Sequence, residues 1–169
     1  EKKRDAKAIL KFLQQEAIKR KNKKVQKQVQ DLNIDQNYYK NKDYLKIRGK
    51  YLSKYGGGLK HKGSSNGKLL KQYFLCKHYK IRERMNVFRG GMNSINLMET
   101  IATNRLIDLA PELDIPIYIF QGKHDYTTTH KQARIFFDEV KAPMKKFYTF
   151  YNSAHSPFIE EDDLFYDII

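Results

Sequence analysis

The sequence lacks tryptophan, has a single cysteine (Cys76), and has no apolar run approaching the roughly 18 residues that cross a membrane. One cysteine excludes an internal disulfide bond and is typical of a reducing compartment. No charged-then-apolar leader with a small-residue cleavage site opens the chain. We therefore expect a cytoplasmic protein without a membrane partner, whose core depends on 12 tyrosines and 10 phenylalanines.

Several motifs that carry chemistry are also missing. There is no His-Glu-x-x-His pair, no cluster of cysteines and histidines, and no phosphate-binding glycine loop. These absences give no support to metal or nucleotide chemistry. We expect no cofactor and no bound metal.

Acidic residues are scarce in the first half of the chain. Residues 1–90 carry 26 Lys and Arg against 7 Asp and Glu, a balance of +19, whereas residues 91–169 carry 7 against 12, a balance of −5. Such asymmetry indicates a basic binding surface or two segments of different origin. The basic run at 19–24 is interpreted as a solvated helix face or a turn between two helices, and contact with nucleic acid is the sharper alternative.

The first 110 residues read mainly as helices and loops. Residues 3–29 predict a long helix and residues 37–55 another, whose tyrosines follow the helical period and so are expected to pack rather than to stack on bases. The glycine-rich stretch 55–68 predicts a loop. A helix resumes after it and is expected to break near Gly90–Gly91, before a single amphipathic helix that spans 94–110.

Residues 115–155 predict a strand, a loop, a helix, a second strand and a second loop. The apolar run 115–121 ends at Gly122 with Asp125 three residues later, and the aromatic run 145–151 ends in a small-residue turn that holds His155. Because parallel strands place their carboxyl ends at one edge, both side chains are expected there, within hydrogen-bond reach. An Asp followed by a His forms the second half of a hydrolase triad in the order Ser, Asp, His. The alternative is that Asp125 caps a helix and His155 sits in a polar turn.

The nucleophile of such a triad is the difficult part. Residues 63–67 match Gly-x-Ser-x-Gly around Ser65, but glycines and lysines precede the match, where the motif requires a buried apolar strand. We interpret Ser65 as a loop residue. Ser53, Ser94, Ser153 and Ser156 lack even the motif. His124 and His130 are expected at the surface or the rim of a pocket, and His61 and His78 have no supporting context.

The segment 115–161 resembles the carboxy-terminal part of α/β-hydrolases of the proline iminopeptidase-like branch. The resemblance matches Gly122 and Asp125 to the turn that delivers the acid. It matches residues 153–157, with His155, to the turn that delivers the histidine, and Glu160 or Glu161 to an acidic residue that often follows. The basic region before it resembles, less specifically, the helical cap above that sheet. The family's early strands, oxyanion loop and serine elbow have no counterpart here.

These observations predict a partial α/β fold: a helical cap at 1–110, then the last two strands and helices of an α/β-hydrolase sheet at 111–169. The chain begins at Glu1 within a helical pattern, which we interpret as processing or truncation. The predicted function is that of a carboxy-terminal fragment of a serine hydrolase that acts on an ester or amide bond, inactive alone. Its partners would be a small-molecule or short-peptide substrate and, through an exposed sheet edge, a second copy. The rival hypothesis is a basic helical module that binds nucleic acid without catalysis.

Overall fold

The computed structural model describes residues 2–35, 37–62, 71, 74–75, 77–94 and 97–169. The chain forms helices first and a small sheet afterwards. In chain order the helices and strands are α1 (Lys2–Lys19), α2 (Lys23–Gln30), a 3₁₀ turn (Tyr38–Lys40), α3 (Lys42–Tyr51), α4 (Ile81–Asn93), α5 (Leu97–Thr103), α6 (Leu106–Leu109), β1 (Ile117–Gly122), α7 (His130–Glu139), β2 (Lys145–Phe150), α8 (Pro157–Glu160) and α9 (Asp162–Ile168).

The basic run at 19–24 is a turn between two helices, one of the two forms that the sequence allowed. Lys21 has a positive φ of 52°, which ends α1. The side chain of Asn22 accepts a hydrogen bond from the backbone N–H of Val25 at 3.2 Å and so caps α2. The amide of Asn22 also donates to the hydroxyl of Tyr55, 3.1 Å away, which ties the turn to the end of the helical region.

Helices α1, α2 and α3 share one apolar core. Most of the apolar side chains that recur at three- and four-residue spacing along α1 are buried in it, whereas Ile18 is 56% exposed. The prediction that the tyrosines pack is confirmed for Tyr44, Tyr51 and Tyr55, each at most 6% exposed. The buried members of the core are Ala6, Ile9, Leu10, Leu13, Ala17, Val25, Val29, Ile34, Tyr44, Ile47, Tyr51, Leu52 and Tyr55.

Two predictions for the middle of the chain are wrong. Helix α4 continues through Gly90–Gly91, because a glycine lowers helix propensity by only about 1 kcal/mol and keeps its backbone N–H donor. The expected single helix over 94–110 is instead two short helices that are separated at Asn104 and Arg105. The backbone N–H of Asn104 still donates to the carbonyl of Thr100 at 3.1 Å, and the helical pattern stops at the next residue, Arg105, whose backbone is extended.

The strands and helix predicted for residues 115–155 are present. β1 and β2 pair in parallel, with Ile117 opposite Lys145 and Gly122 opposite Phe150. On one face the rings of His130 and Phe137, from α7, pack edge-on against Phe147. On the other face Phe165 of α9 packs against two strand rings, Phe120 and Phe150. The described residues therefore form a mixed fold of helices and a small parallel sheet that is covered on both faces.

The helices of the described residues are polar or short. The longest, α1, has 18 residues and includes several lysines and acidic side chains. Within the described part of the chain, no helix combines the length and the apolar character that crossing a bilayer requires.

Candidate functional site

Two polar turns meet at one end of the sheet. β1 ends at Gly122 and β2 at Phe150, and these two residues are register partners. Asp125 lies three residues beyond the first strand and His155 five residues beyond the second. Parallel pairing therefore brings both turns to the carboxyl edge of the sheet, the place where open α/β sheets hold ligands and reacting groups.

Asp125 is a buried carboxylate with five hydrogen-bond donors around it. Its side chain is 2% exposed. Oδ1 accepts from the backbone N–H groups of Thr127 at 2.7 Å and Thr128 at 3.1 Å. Oδ2 accepts from the hydroxyl of Thr128 and the amide of Gln121, both at 2.9 Å, and lies 2.8 Å from Nδ1 of His155. A buried carboxylate with this many donors is held in one orientation.

His155 has the geometry of a histidine whose tautomer is fixed by a carboxylate. Nδ1 donates to Oδ2 of Asp125, which leaves Nε2 as the acceptor nitrogen. The hydrogen bond to Asp125 raises the pKa of His155 above its usual value; burial opposes this shift, the charge of Asp125 adds to it, and the charge of Arg48 opposes it. The side chain is 40% exposed, so Nε2 has access to solvent or to a reacting group.

Two glutamates hold the turn that carries His155. Oε2 of Glu160 accepts the backbone N–H of Ala154 at 2.8 Å, and its carboxylate also accepts the backbone N–H of His61. Glu161 accepts the hydroxyl of Ser153 at 2.6 Å and the backbone N–H of Asn152 at 3.0 Å. The two carboxylates therefore satisfy the hydrogen-bond donors of this turn. Because these bonds are charge-assisted, they fix the position of the backbone at His155.

Gly122 allows the two turns to approach each other. A Cβ atom at this position would lie 1.8 Å from the carbonyl oxygen of Ala154 and 2.5 Å from that of Ser153. Any other residue would push the histidine turn away from the end of β1, because the obstructing atoms belong to the backbone. The glycine is therefore a requirement of the Asp125–His155 distance.

The helical region contributes directly to the site through its glycine loop. The carbonyl of Gly57 accepts the backbone N–H of Tyr126 at 2.9 Å, and the carbonyl of Gly58 accepts that of His155 at 3.1 Å. The ring of Tyr126 stacks on Phe12 of α1, with centroids 4.1 Å apart. The loop and α1 therefore help to position the residues that follow Asp125 and His155.

Sequence reasoning missed several of these supporting residues. Thr127 and Thr128 carry a usable signal, since residues two and three positions after an Asp are the donors of an Asx turn. Gln121 is a polar residue at the end of an apolar strand, which is a weaker signal. The contacts of Gly57 and Gly58 join positions far apart in the sequence and give no local signal.

The other histidines take supporting positions. The rings of His61 and His124 stack, with centroids 3.6 Å apart, and burial and then the neighbouring His61 lower the pKa of His124. His130 is half-buried and hydrogen-bonds the hydroxyl of Thr149 at 2.9 Å. Among the described residues, none of these three histidines hydrogen-bonds the carboxylate of Asp125.

Among the described residues, no serine side chain hydrogen-bonds the ring of His155. Ser153 and Ser156 are buried, and Ser153 donates to Glu161. Ser94 donates to the carbonyl of Gly90. Ser65 lies outside the described residues, so its prediction as a loop residue stays a prediction. Within the described ranges, no group of three or more His, Cys, Asp or Glu side chains is arranged to hold a metal ion.

Fold and site together define a mixed helical and parallel-sheet protein with a buried Asp–His pair at the sheet edge. The chain is similar to a Bacillus subtilis (strain 168) protein described as "Probable aminopeptidase YbaC", with 29% identity over 111 residues. The match covers 64% of this chain and 35% of that protein, so the chain spans about a third of the relative's length. No family model and no solved structure matches the chain.

Proposed function

We propose that this chain supplies the aspartate and the histidine of a serine hydrolase that cleaves ester or amide bonds, with an aminopeptidase-like action on short peptides as the favoured form. The single observation that carries the proposal is the 2.8 Å contact between Nδ1 of His155 and the buried Oδ2 of Asp125 at the carboxyl edge of a parallel sheet. The similarity to a protein described as an aminopeptidase supports the same reaction class.

In the proposed mechanism His155 acts as base and then as acid. Nε2 takes the proton from a serine hydroxyl as the serine oxygen attacks the substrate carbonyl, and Asp125 stabilises the imidazolium that results. The imidazolium then donates that proton to the departing amine or alcohol as its bond to the carbonyl carbon breaks. Water, activated in the same way, releases the acyl group and restores the serine.

The nucleophile and the oxyanion donors are proposed to lie outside this chain. A two-stranded parallel sheet is short of neighbours, since parallel sheets normally have more strands and two covered faces. We propose that further strands of a longer protein pair with this sheet, and that residues 1–110 form the cap over the site. Pairing of the exposed sheet edge with a second copy is the corresponding proposal for the chain by itself.

Three tyrosines of the basic region are unavailable for stacking on bases, which counts against the rival nucleic-acid module. Tyr44, Tyr51 and Tyr55 are buried in the apolar core, each at most 6% exposed. Positive charge alone accounts for non-specific attraction to nucleic acid and not for the bonded Asp125–His155 pair.

The test uses the full-length protein that contains this sequence. Hydrolysis of leucine 4-nitroanilide and 4-nitrophenyl butyrate would be compared for the wild type, His155→Ala and His124→Ala. Loss of the base is expected to reduce kcat/KM by on the order of 10³-fold or more, since the members of a triad act as a unit. His124→Ala is the matched control and should retain activity within about fivefold, because the ring of His124 stacks on His61 and hydrogen-bonds neither Asp125 nor His155. Activity in His155→Ala near that of the wild type would overturn the proposal.

A second experiment addresses the location of the nucleophile. A fluorophosphonate probe, which labels activated serines, should label the full-length protein and leave the 169-residue chain unlabelled. Labelling of the short chain that disappears in Ser65→Ala would place the nucleophile at Ser65 and contradict this part of the proposal.

A further inference from the structure

A cavity of about 410 Å³ is lined in part by the loop residues that follow Asp125. It is bounded by α1 and α3, by α5 and α6, and by α7 with the loop that precedes it. Its volume falls within the range of small-molecule sites in proteins, which is roughly 300 to 1,000 Å³.

The cavity touches the candidate site through the loop after Asp125. Thr127, Thr128 and Thr129 all line it. Two of these residues also bind the carboxylate of Asp125, and the hydroxyl of Thr128 lies 3.5 Å from Nδ1 of His155. A molecule in the cavity would therefore lie next to the residues proposed to carry the reaction.

The walls of the cavity are mostly apolar or aromatic. They include Ile9 of α1, Tyr44 of α3, Ile101 of α5, Leu106 of α6 and Phe136 of α7. Ile101 and Leu106 are more than half exposed, although large apolar side chains gain free energy from burial. An apolar ligand body would cover part of this surface.

Arg48 is the arginine of this cavity that forms no direct ion pair within the described part of the chain, although the carboxylates of Asp5 and Glu139 line the same cavity. Its side chain is half-buried and lines the cavity, and the described residues offer it neither an ion pair nor a hydrogen bond. In contrast, Arg105 at the same cavity pairs with Glu139 at 3.2 Å. Asp5, also in the lining, accepts the hydroxyl of Thr129 at 2.6 Å.

The position of Arg48 is fixed by its helix. It lies four residues after Tyr44 and one after Ile47 on α3, next to the face that packs into the core. Its charge reaches His155 and opposes the rise in the pKa of that histidine. A half-buried guanidinium that has no bonded partner would gain paired hydrogen bonds from a ligand carboxylate.

We propose that this cavity binds the apolar body of a short substrate whose free carboxylate is held by Arg48. The inference rests on the proposed function, because it assigns the substrate of the same Asp125–His155 site. It specifies that function further: the favoured substrates carry a negative charge at the end remote from the scissile bond, as a short peptide with a free carboxyl terminus does.

The test measures binding to the 169-residue chain, which needs no nucleophile. N-acetyl-L-leucine and N-acetyl-L-leucinamide have similar apolar bodies and differ in the carboxylate. Titration followed by NMR at 150 mM salt should show roughly 10-fold tighter binding of the acid, the size expected for a charge-assisted hydrogen bond that is partly exposed. In Arg48→Gln the acid and the amide should bind equally, while Arg48→Lys should keep part of the preference.

The matched control is Lys46→Gln. Lys46 lies on the same helix, is exposed and does not line this cavity, yet its removal changes the net charge by the same amount. The preference for the acid should survive in this variant. An equal loss in Lys46→Gln and Arg48→Gln would contradict the proposal, as would equal binding of acid and amide by the wild type or no binding of either ligand up to 20 mM.

The experiments can contradict the role of Arg48 and the proposed hydrolase function independently of each other. If the full-length protein hydrolyses test substrates but Arg48→Gln leaves its preference for free-carboxylate peptides over their amides unchanged, the role of Arg48 is removed and the hydrolase remains. If the wild type hydrolyses nothing while the short chain still binds the acid through Arg48, the hydrolase is removed and the ligand site remains.

Discussion

The helical region and the strand region of this chain bury different kinds of side chain. Among the described residues, the largest set of buried apolar side chains lies between Ala6 and Tyr55. Among the described residues, every buried Gln, Asp, Thr and Ser residue lies between Gln121 and Ser156. The first region is an apolar core with charge on its outside, and the second encloses a network of hydrogen bonds around one carboxylate.

Each region is therefore suited to a different role. An apolar core tolerates hydrophobic replacements of similar volume. It stabilises the fold without fixing the position of any single atom. A buried, fully bonded carboxylate constrains its neighbours to within tenths of an ångström and is costly when a partner is lost. The carbonyls of Gly57 and Gly58 join the two, since they belong to the helical region and bind the turns of the strand region.

The largest expected effect concerns the apolar core. Leu13 is fully buried in α1, and Leu13→Ala should lower the free energy of unfolding by about 2–5 kcal/mol. Ile18→Ala on the same helix is the control; because Ile18 is 56% exposed, it should change stability by less than about 1 kcal/mol. Urea denaturation followed by circular dichroism measures both, and equal losses in the two variants would contradict the burial of this core.

Gly122 tests the polar region. Gly122→Ala places a Cβ against the carbonyl of Ala154, so the histidine turn must move, and a loss of about 1–3 kcal/mol is expected. The pKa of His155 should also fall toward its ordinary value, because the movement lengthens its contact with Asp125. An unchanged pKa of His155 in this variant would show that Gly122 does not set the distance between the turns.

Substitution of Gly49, in the helical region, is expected to have the opposite effect on stability. It lies inside α3, and a Cβ there meets no atom within 4 Å. Gly49→Ala should therefore stabilise the protein by about 0.5–1 kcal/mol through helix propensity and leave the pKa of His155 unchanged. Thermal unfolding measures the first effect and NMR the second. Destabilisation by Gly49→Ala would contradict the packing described for α3.

The smallest expected effect is the pH dependence of stability. The pKa of His155 is raised in the folded protein, so the stabilisation from its charged pairing with Asp125 is present below the unfolded value of 6.5. It is lost as the pH rises through the folded value. The stability difference between the wild type and His155→Gln should accordingly shrink from pH 5 to pH 8. A difference that grows with pH would mean that the shift has the opposite sign.

The sequence predicts the two strands, the intervening helix and the meeting of Asp125 with His155, because period-two apolar runs with polar stops are local patterns. It predicts the helix over 94–110 poorly, because no glycine or proline marks Arg105, the residue with extended backbone at which the helix is interrupted. It cannot predict that Gly57 and Gly58 bind the two turns, because that contact depends on how the helical region docks. The lack of a direct ion pair at Arg48 within the described part of the chain likewise follows only from the positions of its neighbours.

The central claim is that neutral His155, held by Asp125, is the base of a hydrolase. The most direct measurement follows kcat/KM of the full-length protein against pH beside the NMR titration of His155 in the same protein. We expect activity to rise with pH at the pKa of His155. We also expect Asp125→Asn to lower that pKa and to reduce kcat/KM by on the order of 10³-fold or more. Activity whose pH dependence ignores the titration of His155, or that persists at wild-type level in Asp125→Asn, would contradict it.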